Sequence, residues 1–209
     1  MKRLLIPFVF CLVLFSACEN PADNAPKAVV SAPSAPAVQL PAKGTSLPFT
    51  ADNSTIEFIG SKVTGIENCT FKKFSGAIDL VEGKPEKSSV NVEIDLNSVE
   101  AKIGKLTEHL KSPDFFDVAK FPKATFASSE IKAGGEKGAT HTITGTLDLH
   151  GVKKVLTFPA TIKVEPEAVS VVSEFAVNRQ DFGLVYPGKA DDLIRDEVLL
   201  KLAVKAPRH

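Results

Sequence analysis

Apolar and polar residues alternate with a period of two along much of the chain. In one such stretch Leu156, Phe158, Ala160 and Ile162 occupy every other position. This alternation predicts β-strands with one face in a core and the other in water. The pattern is strong at residues 90–96, 155–164 and 197–204, and weaker at residues 55–62, 71–81, 124–132, 142–150 and 169–177. The chain is therefore predicted to contain eight strands.

One segment follows a helical period instead. Ile103, Leu106 and Leu110 are spaced three and four residues apart, which places them on one face of a helix. Pro113 ends this helix, and Ser112-Pro113-Asp114 can cap a further short turn. We expect a short helical excursion between the third and fourth strands.

Eight antiparallel strands leave exposed edges unless the sheet closes on itself. The predicted fold is therefore all-β, an eight-stranded antiparallel barrel whose interior either is filled by side chains or holds one small ligand. A two-sheet sandwich is the alternative, because periodicity does not distinguish the two.

The first residues carry an export signal. Lys2 and Arg3 precede an apolar run over residues 4–15, and Ser16-Ala17 precede Cys18. This order is typical of a secretory signal peptide, and the cysteine resembles that of the bacterial lipobox. We expect residues 1–17 to be removed and Cys18 to carry a diacylglycerol. The alternative is an ordinary signal peptide with Cys18 unmodified.

The segment after Cys18 is rich in Pro, Ala and Ser and has no apolar period. It predicts a lipidated cysteine and a disordered tether over residues 18–48, followed by one folded domain over residues 49–209. Glu19 resembles the residue that directs bacterial lipoproteins to the outer membrane. The expected location is therefore the outer membrane, facing the periplasm or the cell surface.

Composition narrows the function classes. The net charge is zero and no cluster of Lys and Arg occurs, which argues against nucleic acid as a partner. The 14 Phe, one Tyr and no Trp suit an apolar interior. Cys69 has no partner for a disulfide, and the histidines follow no metal-ligand spacing. With no catalytic motif present, we expect neither an enzyme nor a metal or other cofactor.

Several longer motifs match one family. They are HLKSPDFFDV at residues 109–118, FPKATF at 121–126, LHGV at 149–152 and NRQDFG at 178–183. This set resembles the YceI-like family of exported, lipocalin-like barrels, and the resemblance runs from about residue 49 to 206. It implies an apolar interior that binds a polyisoprenoid chain, such as a polyprenyl phosphate or a quinone tail. The chain departs from the family at Thr107, where an acidic residue is usual, and at Phe121, where Tyr is usual.

The resemblance also supplies candidate ligand-binding residues, each with a structural alternative. The aromatic and aliphatic candidates either line a lipid channel or form ordinary core. His109 either donates to a ligand oxygen or makes a structural hydrogen bond. Arg179 either binds a phosphate or pairs with Asp181, Asp191 or Asp192 to fix a turn. The full set is Phe74, Leu106, His109, Leu110, Phe115, Phe116, Phe121, Phe126, Phe158, Arg179 and Phe182.

The function expected from the sequence is that of a membrane-tethered lipid-binding protein. Its partners would be an isoprenoid-type lipid and the membrane, reached through the lipid on Cys18, and a homodimer is compatible with this interpretation. The alternative function is a non-enzymatic scaffold, related to stress or to protein interaction, with a filled barrel.

Overall fold

Strands make up most of the chain that the structure, a computed structural model, describes, namely residues 20–33 and 44–208. The strands are β1 (Val29–Ser31), β2 (Thr45–Thr50), β3 (Thr55–Lys62), β4 (Gly65–Phe71), β5 (Phe74–Leu80), β6 (Ser89–Asp95), β7 (Val99–Ala101), β8 (Lys123–Ala133), β9 (His141–Leu149), β10 (Val152–Val164), β11 (Ala168–Asn178), β12 (Gly188–Lys189), β13 (Asp192–Leu193) and β14 (Glu197–Pro207). One α-helix, α1, spans Gly104–Lys111. Short 3-10 helices lie at Pro21–Asn24, Pro85–Lys87, Leu96–Ser98, Glu136–Gly138 and Arg179–Phe182.

Eleven of the strands form one antiparallel path in the order β2-β5-β6-β8-β9-β10-β11-β14-β3-β4-β7. The sheet curls strongly into a half-barrel. The prediction of an all-β fold with one short helix is confirmed, whereas the prediction of an eight-stranded barrel is wrong. All eight predicted strands are present, as β3, β5, β6, β8, β9, β10, β11 and β14.

Two of the additional strands, β2 and β4, arise because the chain bends and continues in the sheet. β2 pairs with β5, and after a turn β3 pairs with both β14 and β4. The stretch predicted as one strand at residues 71–81 belongs to two strands, β4 and β5, which residues 72–73 separate. Each bent stretch therefore supplies a strand to two parts of the sheet, and a count of alternating runs underestimates the number of strands.

The interior is filled mainly by aromatic and branched side chains. Phe49, Phe158 and Phe175 are almost fully buried there, together with aliphatic residues from the neighbouring strands. Gly145 faces this core, and a Cβ at that position would lie only 2.3 Å from the ring of Phe126. The glycine therefore leaves room for the Phe126 ring to lie across the backbone of β9.

The N-terminal segment differs from the expected tether. Within the predicted tether of residues 18–48, residues 20–31 pack on the sheet and residues 45–48 belong to β2. Ala22, in the first 3-10 helix, is fully buried against Ile59, Ala176 and Leu199 on the outer face. Small apolar residues in this segment cover an apolar patch, which explains why it is ordered. Residues 1–19, including the signal peptide and Cys18, and residues 34–43 lie outside the described residues.

The same segment fills a gap in the sheet. β10 and β11 pair only between Thr161–Val164 and Val169–Val172. Beyond that pairing, β1 hydrogen-bonds to β10 in the register Val29↔Thr157 to Ser31↔Val155. On its other side, Pro26 O accepts from Ala176 N at 2.8 Å and Ala28 N donates to Ala176 O at 2.9 Å. The segment thus satisfies backbone groups that the two diverging strands leave free.

Val30 and Val29 test this arrangement because they are neighbours on opposite faces of β1. Val30 packs against the interior core, whereas Val29 is 67% exposed. Val30→Asp would bury an unpaired carboxylate, so we expect it to lower the free energy of unfolding by about 2 kcal/mol or to release the segment. Val29→Asp is the matched control and should have little effect. Thermal melts and limited proteolysis of residues 20–33 provide the measurement, and equal behaviour of the two variants would contradict the assigned faces.

Candidate functional site

The concave interior contains two groups of aromatic rings packed against one another. Phe158 and Phe175 lie parallel with ring centres 4.3 Å apart, and Phe126 lies 5.7 Å from Phe158. The second group joins Phe58, Phe71 and Phe116, with centre-to-centre distances of 5.6 to 5.9 Å. Aromatic pairs in such geometries add to the stabilisation that burial alone gives. Both groups are apolar surfaces against which a lipid chain could lie.

A cap formed by α1 and the turns after it covers one end of the interior. Leu110 on α1 is buried, and Phe116 N donates to Leu110 O at 3.0 Å. This tight connection directs Phe116 into the ring group described above. Leu106, also on α1, is partly buried against the same core. Ile103 was predicted on the same helix face but precedes the helix and is 51% exposed.

His109 lies at the outer side of the cap. Its ring contacts Phe115 and Tyr186 edge-on, each at a centre distance of 5.0 Å. Its Nε2 lies 2.9 Å from Asp114 Oδ2. The histidine therefore has a protein partner on its solvent side and aromatic rings beside it. This is the geometry of a structural hydrogen bond at the outer edge of the cap.

Phe121 and Phe182 meet around the turn between β9 and β10. The ring of Phe121 lies 4.8 Å from that of His150, and His150 Nδ1 lies 3.3 Å from Phe182 O. Phe182 is fully enclosed and Phe121 is half-buried. Phe74, at the start of β5, is also buried in the core.

Arg179 is buried and its donors are used within the protein. Nε donates to Arg195 O at 3.1 Å, and Nη1 donates to Leu184 O. Nη2 donates to Ile194 O at 3.4 Å and to Asp196 Oδ1 at 2.9 Å. Desolvation lowers the pKa of the guanidinium, and the charge and hydrogen bond of Asp196 oppose that shift. Arg179 thus holds the loop of residues 183–196, and its carboxylate partner is Asp196 rather than Asp181, Asp191 or Asp192.

One cavity inside the half-barrel is small. A cavity of about 20 Å³ lies at the end opposite the cap, and Ile78, Ile143, Ile162 and Val171 are among its lining residues. This volume would accommodate about one water molecule, far below the roughly 300–1,000 Å³ of ordinary ligand pockets. A larger groove of about 370 Å³ opens to solvent beside the bends of β2 and β4, where Asp52, Lys72, Lys73, Glu93 and Asp95 give it a polar lining.

The described residues hold no cluster of metal ligands, and their cysteine, Cys69, is buried. Across residues 20–33 and 44–208, no three side chains of His, Cys, Asp or Glu come together as a metal site would require. Burial raises the pKa of the Cys69 thiol to about 12. The nucleophilic thiolate of Cys69 is therefore scarce at neutral pH. The helices in those same residues include none that is long and apolar enough to span a membrane.

Comparisons with known proteins assign this fold to a family. A family model described as the YceI-like domain matches residues 42–206. The chain belongs to the YceI-like family. A UPF0312 protein of Pseudomonas putida is 38% identical over 125 residues, which cover 57% of this chain and 64% of that protein. This chain therefore spans slightly less than two thirds of that relative.

Two solved structures share the fold of this YceI-like domain. BcnA from Burkholderia cenocepacia aligns with a TM-score of 0.64 at 24% identity, covering 73% of this chain and 96% of BcnA. A polyisoprenoid binding domain from Saccharophagus degradans, implicated in plant cell wall breakdown, aligns with a TM-score of 0.62 at 21% identity. That alignment covers 79% of this chain and 100% of the other.

The structure thus divides the sequence-predicted site residues of the YceI-like domain into four places. Phe74, Phe126 and Phe158 belong to the interior; Leu106, His109, Leu110, Phe115 and Phe116 form the cap; Phe121 and Phe182 lie at the β9–β10 turn; Arg179 holds the loop of residues 183–196. Phe58, Phe71 and Phe175 were missed although all three lie in predicted strands, and following the period-two pattern along residues 169–177 would have placed Phe175 on the inward face. Tyr186 lies in a loop whose sequence gives no signal of its contacts.

Arg179→Lys separates the structural role from a ligand-binding role. Lysine keeps the charge but cannot reach all the acceptors, so we expect a loss of about 3 kcal/mol in unfolding free energy and faster proteolysis within residues 183–196. Lipid binding by the folded fraction should remain. An unchanged melting temperature with loss of phosphate-dependent binding would instead assign Arg179 to the ligand.

Proposed function

We propose that this protein binds the chain of an isoprenoid-type lipid, such as a polyprenyl phosphate or a quinone tail, without catalysing a reaction on it. The observation that carries the proposal is the continuous apolar core on the concave face, which includes the two ring groups and the cap. Hydroxyls within this interior are bonded to the backbone: Ser173 Oγ donates to Pro159 O, and Ser128 Oγ accepts from Val90 N. Membership of the YceI-like family and the polyisoprenoid binding domain of Saccharophagus degradans support the same ligand class.

Binding requires the interior to open, because the cavity of about 20 Å³ has no room for a lipid chain. The cap is the part whose movement would make that room, since Phe116 inserts into the interior from outside the sheet. A lipid chain that replaced the Phe116 ring would restore much of the buried apolar area. Each isoprene unit buried would contribute up to about 4 kcal/mol, less the cost of displacing the cap. Affinity should therefore rise with chain length until the interior is full.

A lipid series with two cap variants tests this proposal. We expect affinity to rise in the order farnesyl phosphate, geranylgeranyl phosphate, undecaprenyl phosphate. Because the protein contains no Trp, binding is measured by thermal shift and calorimetry. Leu110→Ala should weaken binding several-fold because Leu110 is a buried residue of the cap itself, whose side chain would contact the bound lipid, whereas Ile103→Ala, at an exposed position beside the same helix, should not. Organic extraction of the purified protein followed by mass spectrometry should recover a bound isoprenoid.

A filled, non-enzymatic scaffold is the second candidate function. The small cavity favours it directly, because the aromatic side chains already occupy the interior. If no lipid is extracted and none of the three phosphates shifts the melting temperature, the scaffold is the better assignment. Chain-length dependence that Leu110→Ala weakens would eliminate it.

We also propose that the protein is held at the outer membrane by a diacylglycerol on Cys18, facing the periplasm or the cell surface. The order of charged, apolar and small residues before Cys18 supports this. Two acyl chains anchor a protein stably, whereas a single chain binds only marginally.

Cys18→Ala provides the test of the anchor. The variant should lose incorporation of a fatty-acid probe, and the precursor should accumulate or be cleaved elsewhere. Equal labelling of wild type and variant, or no labelling of the wild type, would contradict the anchor and leave lipid binding untouched.

A further inference from the structure

Only a short stretch of chain separates Cys18, the proposed site of lipid attachment, from the folded domain. Cys18 precedes Asn20 by two positions, and two residues span at most about 7 Å. Asn20 itself is 4% exposed. Its Oδ1 accepts from Ser61 Oγ at 2.9 Å, and its Nδ2 donates to Glu197 O at 3.4 Å. A lipid on Cys18 would therefore bring this part of the sheet directly to the bilayer surface.

The surface next to Asn20 carries exposed aliphatic side chains. Ser61 leads into the β3–β4 hairpin, where Val63 is 51% and Ile66 is 40% exposed. The β12–β13 hairpin joins it, because Val63 N donates to Leu193 O at 3.2 Å, and Leu193 is 49% exposed. We call Val63, Ile66 and Leu193 the hairpin rim. Single exposed apolar residues are common on protein surfaces, but here three occur together on two bonded hairpins: Val63 lies in the β3–β4 turn, where polar residues are usual, and Ile66 and Leu193 lie on the strands β4 and β13.

The charges around the rim are balanced. Lys62 is paired with Asp192, whose Oδ1 also accepts from Thr64 N at 3.1 Å. The exposed cation Lys189 is accompanied by the exposed anion Asp191 on the same hairpin. The rim therefore has apolar side chains to insert into a membrane but no excess positive charge that would select anionic lipids.

We propose that the hairpin rim docks into the surface of the same bilayer that holds the lipid on Cys18. This inference rests on the proposed lipid anchor. Three aliphatic side chains would give only weak binding alone, but the anchor makes the contact intramolecular and so raises its effective concentration. The contact should depend little on salt, because the charges around it are balanced.

Docking of the rim would also hold the cap near the membrane. The loop of residues 183–196 connects the two, since Tyr186 contacts Phe115 of the cap at 5.4 Å and Leu193 belongs to the rim. Arg179 fixes this loop through Leu184 O and Ile194 O. A lipid chain could then move between the bilayer and the interior without crossing water.

Cysteine labelling in membranes tests the docking. The full chain carries Cys69→Ala, and single cysteines are introduced as Val63→Cys, Leu193→Cys and, as control, Val172→Cys. Val172 is 55% exposed on β11, where it faces away from the interior core. Membrane fragments are labelled with a membrane-impermeant maleimide before and after dissolution in detergent. We expect labelling at positions 63 and 193 to be at least five-fold slower in membranes, and labelling at position 172 to be the same in both.

Each other outcome has a separate meaning. Equal labelling at all three positions in membrane-bound protein would overturn the docking but leave the anchor intact. Recovery of the protein in the soluble fraction would overturn both. Protection at positions 63 and 193 that persists in detergent would show that a protein partner, and not the bilayer, covers the rim.

Discussion

The strongly curled sheet depends on large side chains that fill its concave face. Large rings extend into the interior from neighbouring strands, as the stacked Phe158 and Phe175 do, and aliphatic residues fill the space around them. Close-packed interiors leave little tolerance for voids, and the glycine beneath the Phe126 ring shows how the backbone is adapted to admit a ring. The many Phe and the absence of Trp are consistent with this demand, because Phe needs no hydrogen-bond partner.

Curling also forces neighbouring strands apart, and the N-terminal segment of the protein fills the gap between them. β10 and β11 separate after a short pairing, and residues 26–31 hydrogen-bond to both where they diverge. The same segment covers Leu199 on the outer face, which is why Leu199 is more buried than the inward-facing Leu200. A segment outside the matched family domain thus completes the wall of that domain.

Sequence patterns could predict the strands that have one dry face and one wet face, and they failed where that contrast is weak. β10 and β14 alternate clearly and were predicted, whereas β4, whose apolar residues Ile66, Cys69 and Phe71 do not alternate regularly, was largely missed. β2 lies in a Pro-rich stretch and contains Pro48. The proline is tolerated there because β2 is a terminal strand of the sheet order and proline lacks only the backbone N–H donor. The packing of residues 20–31 could not be predicted, since short Ala and Val runs acquire their partners only when the sheet exists.

In the candidate site, too, some features could be predicted from the sequence and others could not. The HLKSPDFFDV motif located the cap, but the sequence could not show that Arg179 would bond three backbone carbonyls and Asp196. Those bonds depend on a loop that returns to the sheet some fifteen residues later, a separation that no local pattern encodes.

The filled interior and the proposed lipid anchor would together impose one condition on the proposed exchange of lipid. A chain can enter only where apolar side chains can leave, and Phe116 enters the core from the cap rather than from a strand. The backbone of the cap is bonded mainly to itself, as in Phe116 N to Leu110 O and Val118 N to Lys111 O, so it can move without breaking the sheet ladder. If the cap opened into water, its rings would lose their contacts; if it opened against lipid, they would exchange one apolar environment for another. Opening should therefore cost least at a membrane surface, where an anchor two residues from the fold would hold the domain.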